Sequence, residues 1–276
     1  MKKKLLIAGA SLALTLGVAT PSFASSDTPK ETEPFNYSTF KETYYSSIPE
    51  EVKNYEVDTE IGNGEYYLTD EEVTTVTFES LIAINEKIKD DNILELYSEE
   101  KANEIVAKLI KESINDTEGT KSRSYDYEIP GWDNLNSAEK DLAKKHPIEF
   151  TSYALTAVAA GNLAEAYYGE SQLYQGNGDA FRHSYWNAIL VQELGNDPLH
   201  GTQRARTWTT AHEATSSGND KEMDLFNNEV GIYHAYLNFN DTRSQLSDAL
   251  RKQVSQGGLV RIVGGELAAT SGVTGK

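Results

Sequence analysis

The stretch QGNGDAFRHSYWNAIL, residues 175–190, decides how the second half of the chain folds. Its glycines predict a turn, and the residues that follow have the periodicity of a helix. Asp179, His183 and Asn187 are spaced four residues apart, so a helix places them on one face, and Arg182 lies beside them. A face that combines an acid, a base, an amide and a guanidinium indicates a polar site rather than ordinary packing.

Two later segments carry the same residue types: AHE at 211–213 and MDLFNN at 223–228. Our hypothesis is that all three segments converge on one site. The sequence therefore predicts a polar pocket between three helices, at about residues 179–190, 202–214 and 222–235.

His183 is the first candidate for chemistry. An imidazole that is oriented by a nearby carboxylate is typical of a general base, a nucleophile or a metal ligand. Asp179 would be the orienting group, although an acid directly after Asn177-Gly178 can also cap the start of a helix. Arg182 is a natural ligand for an anion, or else the partner of a structural ion pair.

The pair His212-Glu213 resembles half of a zinc-protease motif, but that motif needs a second histidine at position 216, where the chain has Ser216. The pair can still supply one ligand and one acid or base, and both residues join the predicted catalytic set. Arg206 lies seven residues before Glu213 on the same face, and we expect it to be a second anion-binding residue.

The next segment places Asp224, Asn227 and Asn228 within a predicted helix. An unpaired buried amide costs roughly 2–7 kcal/mol, so buried asparagines must join a network or bind a ligand. We group Asn187, Asn227 and Asn228 as substrate-binding candidates. Asp224 is the candidate metal ligand, since carboxylate and amide oxygens can hold a divalent metal ion.

The charge of the chain excludes one class of partner. The full sequence has 43 acidic and 25 basic residues, and 26 of the acidic ones lie within residues 25–130. Such a surface repels a phosphate backbone, so we expect no nucleic-acid partner. The uneven distribution marks a domain boundary near residue 130.

The start of the chain predicts export. Three lysines precede an apolar run, and a small-x-small ending closes at Ala24, as in a secretory signal spanning residues 1–24. We therefore expect a secreted or cell-surface protein. The chain has no cysteine, which excludes disulfides, thiolate catalysis and cysteine-bound metals.

Residues 25–130 read as an acidic accessory region, partly ordered, with one or two helices at about 78–89 and from Ser98 onwards. A short hairpin is predicted within residues 65–78. Residues 131–262 predict an all-α domain of five or six helices. A capping box at Asn136 begins the first of them, and residues 263–276 are expected to form a flexible tail.

The motifs at 177–188, 211–213 and 223–231 resemble an uncharacterised bacterial domain family found in secreted and surface proteins, over about residues 131–262. The first motif has one residue fewer between its glycines and Asp179 than the family pattern. More distantly, the aspartate and histidine four residues apart are similar to lipocone-type helical folds, which implies chemistry on lipid head groups or the cell envelope.

These observations predict a hydrolase or transferase that acts on a phosphate-containing or lipid-linked envelope substrate, dependent on His183 and assisted by a metal ion. The partner would be an envelope lipid or wall component, and the oligomeric state stays open. Two alternatives remain: a non-catalytic surface module with a structural polar network, and a secreted effector or toxin.

Overall fold

We describe a computed structural model, which covers residues 35–53, 66–117 and 135–272. The predicted signal at 1–24 lies outside these residues. The described fold is all-α, as predicted, apart from a two-stranded sheet near the C-terminus. Within the described parts, no helix has the length and apolar character needed to cross a bilayer.

The described N-terminal segments form six helices rather than one or two. Their bounds are α1 Tyr37–Ser46, α2 Glu50–Lys53, α3 Asp70–Thr75, α4 Phe78–Asp90, α5 Ile93–Leu96 and α6 Glu99–Thr117. The helices α4 and α6 confirm the two that the sequence predicts.

The predicted hairpin at 65–78 is wrong, because α3 occupies the middle of this segment, from Asp70 to Thr75. The side chain of Thr69 accepts from the backbone N–H of Glu72, and the Glu72 carboxylate accepts from the backbone N–H of Thr69. This capping box satisfies N–H groups at the helix start and outweighs the β-branched composition that suggested strands.

The C-terminal domain has six helices, which confirms the prediction of five or six. They are α7 Ser137–Lys145, α8 Pro147–Tyr168, α9 Asn177–Leu194, α10 Pro198–His212, α11 Gly218–Leu237 and α12 Arg243–Ser255. The predicted capping box opens α7, where Asn136 and Glu139 exchange hydrogen bonds. The helix α8 begins at Pro147, a position that needs no backbone N–H.

The helix α9 is the centre of the domain. It packs against α8, α10, α11 and α12, and it is buried over most of its length. It lies close to α11 where Gly231 meets the backbone of Ser184. This approach brings polar residues on both helices within hydrogen-bond distance.

The N-terminal helices pack against the C-terminal domain. The helices α4 and α6 contact α8, and α3 contacts α7. Phe40 and Tyr44 of α1 have ring centroids 5.3 Å from that of Phe226 in α11. Within the described residues, the two parts of the chain therefore share a core.

The chain ends its described course in a hairpin, β1 Val260–Val263 and β2 Glu266–Ala269. Gly264 and Gly265 turn the chain with φ of 62° and 88°, values that suit glycine. Residues 266–269 are thus a paired strand, and this part of the predicted flexible tail is ordered by its pairing with β1.

Candidate metal centre

Three side chains from two helices meet at one point. Asp179 and His183 lie on α9 and Asp224 lies on α11, and one ligand atom from each falls within 4.8 Å of the others. His183 Nε2 is 3.5 Å from Asp179 Oδ1 and 3.2 Å from Asp224 Oδ1. Ligands that each lie about 2.1 Å from a tetrahedral or octahedral cation are about 3.0–3.4 Å apart. These two distances are therefore close to those between ligands of a small divalent cation, and the two carboxylate oxygens lie within 4.8 Å of each other.

A buried amide chain fixes the tautomer of His183. Asn187 Nδ2 donates to the backbone carbonyl of His183 at 3.0 Å and to Asn228 Oδ1 at 2.7 Å. The amide of Asn228 thus presents its oxygen to His183 Nδ1, which is 3.1 Å away. Nδ1 must be the donor, and Nε2 holds the lone pair that faces the two carboxylates.

The surroundings keep His183 neutral. Burial, followed by the nearby Arg182 and His212, holds its pKa well below the usual value, although the hydrogen bond to Asn228 opposes this. A neutral imidazole whose other nitrogen donates to a fixed oxygen is the usual form of a histidine metal ligand.

The carboxyl group of Asp224 carries an unusual proton affinity. Burial, together with the carboxylates of Glu213 and Asp179, raises its pKa to about 8. Among the described residues, no hydrogen-bond donor reaches the buried atom Asp224 Oδ1. The contact with His183 is therefore not an ion pair. A proton or a metal ion on the carboxyl group would relieve the repulsion between the two acceptors.

Asp179 both supports the helix start and faces the site. Its Oδ2 accepts from the backbone N–H of Gln175 at 2.7 Å, while its Oδ1 points at His183. The N-cap of α9 is Gly176, so Asp179 acts from the first turn of the helix. The two roles proposed for this residue from the sequence are compatible in geometry.

Arg182 bridges two of the three ligand atoms. Its Nη2 lies 2.5 Å from Asp179 Oδ1 and 2.9 Å from His183 Nε2. Its side chain is 26% exposed, whereas those of Asp179 and His183 are 5% and 2% exposed. The guanidinium thus sits between the buried ligands and the solvent.

The C-terminal end of α10 adds His212 and Glu213. The ring centroids of His183 and His212 are 6.3 Å apart, and Trp186 packs against His212 at 5.1 Å. The carboxylate of Glu213 is buried, with Oε1 3.5 Å from Asn228 Nδ2. The three segments singled out in the sequence do converge, as their shared residue types indicated.

Sequence reasoning missed two partners of His212. Glu139 Oε1 lies 2.9 Å from His212 Nδ1 and accepts from Tyr153 Oη at 2.5 Å, and Tyr153 Oη lies 3.3 Å from His212 Nδ1. Burial would raise the pKa of Glu139, but its hydrogen bonds, led by that from His212, outweigh burial and lower it. Glu139 was identified as part of a capping box, which it is, and nothing in its spacing pointed to a histidine 73 residues away.

Two predicted site residues lie elsewhere. Arg206 pairs with Glu229 and donates to the carbonyl of Val52, so its guanidinium has no role as an anion ligand here. Asn227 donates to the carbonyl of Val260 at 2.8 Å and accepts its N–H at 3.0 Å, which anchors β1 to α11. Both are corrections: position along the helix placed them near the site, but their side chains point to α2 and β1.

A family model matches part of the second half of the chain. Residues 140–258 match a domain of unknown function (DUF6973). The predicted resemblance to an uncharacterised domain family is thereby confirmed. No curated protein matches the chain. No solved structure matches it either, so the similarity to lipocone-type folds stays a prediction.

The three candidate ligands all lie within this segment. Their donor set is one imidazole nitrogen and two carboxylate oxygens. Imidazole suits zinc, iron and other transition metals, while carboxylate favours manganese and magnesium. Zn²⁺ and Mn²⁺ are the cations that best fit the mixed set.

Proposed function

We propose that the protein is a secreted hydrolase that uses a divalent cation held by Asp179, His183 and Asp224 to cleave a phosphate ester of the cell envelope. One observation carries the proposal. The lone pair of a neutral, buried His183 is locked by Asn228 so that it faces two carboxylate oxygens at the spacing of metal ligands.

The cation would supply the chemistry that the side chains lack. A divalent metal ion lowers the pKa of a bound water and polarises a phosphoryl oxygen. The water oxygen would bond to phosphorus while the bond to the leaving alkoxide breaks. The proton of the water would pass to a base at the site, and the leaving group would take up a proton.

His212 is the base that the geometry favours. Its Nδ1 is bound by the carboxylate of Glu139, so the neutral ring holds its lone pair on Nε2. Its side chain is 32% exposed, in contrast to the buried His183, so water and substrate can reach it. A partly exposed imidazole oriented by a buried carboxylate is a common form of general base.

The substrate class follows from charge. Arg182 borders the site and its fork can bind two oxygens of a phosphoryl group. The secretory pattern predicted for residues 1–24 supports a substrate outside the cell, in the envelope.

The test is cation binding followed by turnover. We would strip the full-length mature protein with a chelator and titrate Mn²⁺ or Zn²⁺ by calorimetry, then assay p-nitrophenyl phosphate, its diester and phospholipid vesicles. We expect one cation per chain and activity that depends on it. Asp224→Asn should weaken cation binding at least tenfold, whereas Asp248→Asn on α12, with the same change of charge, should not.

A structural polar network is the second candidate. It is favoured by Arg182, whose bonds to Asp179 and His183 resemble a closed structural ion pair. If millimolar Mn²⁺ and Zn²⁺ both fail to bind the folded protein, the network explanation stands and the hydrolase proposal is lost.

A further inference from the structure

Arg182 occupies the position at which a cation would compete for the same lone pairs. Its Nη2 donates to Asp179 Oδ1 and to His183 Nε2, and these are two of the three candidate ligand atoms. A lone pair that is shared with a guanidinium N–H is not available to a metal ion. His183 Nε2 has a single lone pair, so cation binding to that atom and its hydrogen bond from Arg182 exclude each other, whereas Asp179 Oδ1 has a second lone pair.

The side chain can leave without disrupting the core. Arg182 is 26% exposed, and among the described residues both of its hydrogen-bond partners belong to the site. The other buried arginine pairs of the domain differ. Arg204 is 4% exposed and is held by both oxygens of Glu149, and Arg206 is held by both oxygens of Glu229. Those arginines are fixed, whereas Arg182 reaches its partners from the surface.

We propose that Arg182 is an exchangeable internal cation: a divalent metal ion displaces its guanidinium from Asp179 and His183, and the released guanidinium then binds a phosphoryl group of the substrate. This inference rests on the proposed metal site. The metal ion and the anionic substrate therefore bind cooperatively, because each favours the arrangement in which Arg182 faces outward.

The exchange explains how several acidic side chains can lie close together in a site that is largely closed to solvent. The carboxyl groups of Asp179 and Glu213, which are buried, lie together with that of Asp224, which is partly buried. The guanidinium offsets part of their charge until a metal ion replaces it. After the exchange, the positive charge of Arg182 stays within reach of the site but faces the substrate.

The experiment compares the full-length mature protein with Arg182→Met, which keeps the apolar stem and removes the competing donors. Arg243→Met is the matched control, since it removes one exposed arginine paired with Glu193 on α9. Calorimetry would measure the affinity for Mn²⁺, and the affinity for inorganic phosphate with and without Mn²⁺.

We expect Arg182→Met to bind Mn²⁺ about tenfold more tightly than the unmodified protein and Arg243→Met to match the unmodified protein. In the unmodified protein, Mn²⁺ should tighten phosphate binding at least tenfold more than it does in Arg182→Met. The KM for p-nitrophenyl phosphate should rise in Arg182→Met.

The two proposals fail differently. If the unmodified protein binds Mn²⁺ and Arg182→Met binds it equally or more weakly, the exchange is refuted and the metal site survives. The exchange is also refuted if Mn²⁺ strengthens phosphate binding equally in both. If Mn²⁺ binds neither protein, the metal site itself is refuted. Binding to Arg182→Met alone would mean that the guanidinium does not give way, which overturns both proposals for the natural chain.

Discussion

The contact between α9 and α11 gives a direct test of the architecture that builds the site. A Cβ added at Gly231 would lie 1.9 Å from the carbonyl oxygen of Ser184, and the obstacle is backbone, which no change of rotamer removes. Because carbon and oxygen atoms rarely approach within about 3 Å, Gly231→Ala must push the helices apart by about 1 Å.

The expected cost is several kcal/mol. Overpacking costs typically about 1–3 kcal/mol and occasionally more, and the displaced backbone at Ser184 places this site at the upper end. The higher helix propensity of alanine offsets about 1 kcal/mol of this loss of stability. A net loss of about 2–3 kcal/mol lowers the melting temperature by roughly 5–10 °C for a protein of this size.

Gly161 provides the matched control. It lies within α8, and an added Cβ would meet nothing within 4 Å. Gly161→Ala should therefore raise the melting temperature by roughly 2–4 °C through helix propensity. Thermal unfolding followed by circular dichroism measures both variants. Equal melting temperatures for the two variants would refute the close approach of α9 and α11, and with it the placement of Asp224 beside His183.

Two further predictions address the surroundings of the site. Glu139→Gln should lose about 1–3 kcal/mol of unfolding free energy at pH 7, since a charged hydrogen-bond acceptor is removed. The pKa of Glu139 is lowered in the folded protein, so its carboxylate stabilises the fold above the unfolded pKa, and this stabilisation is lost as pH falls through the folded pKa. Urea titrations at pH 7 and pH 3 should therefore show a smaller difference in unfolding free energy between the unmodified protein and Glu139→Gln at pH 3. An equal difference at both pH values would contradict this. Asn227→Ala should lose about 2–4 kcal/mol, because it leaves the buried N–H and C=O of Val260 without partners, and faster hydrogen exchange at β1 should report it; unchanged exchange would contradict the anchoring role.

The sequence predicted the fold well where local rules dominate. The capping box at Asn136 and Glu139 and the helical periodicity predicted bounds of the C-terminal helices to within a few residues. These signals act over one or two turns, so no tertiary information is needed to read them. The α3 region shows the limit, since a four-residue capping box there overrode a strand-like composition.

The site was predicted only as far as helix faces allow. Asp224, Asn227 and Asn228 all lie within two turns of α11, and the sequence assigned all three to one ligand-binding site. The structure separates them, because Asp224 and Asn228 face α9 while Asn227 faces β1. Which side of a helix meets which neighbour depends on packing between distant segments, and periodicity does not encode it.

The decisive feature of the site is therefore the contact between α9 and α11, which no single sequence motif contains. His183 lies four residues from Asp179 in sequence, and that spacing alone is compatible with a structural histidine. Asn228, 45 residues away, distinguishes the two cases. It accepts from Nδ1, so the lone pair of His183 lies on Nε2 and faces the carboxylates. Because the oxygen of Asn228 is itself fixed by Asn187, the imidazole cannot adopt the other tautomer without breaking a buried hydrogen bond. In the structure this lone pair accepts from Arg182, which reaches it from the solvent side, so a cation that replaced this donor would find three ligand atoms already in position.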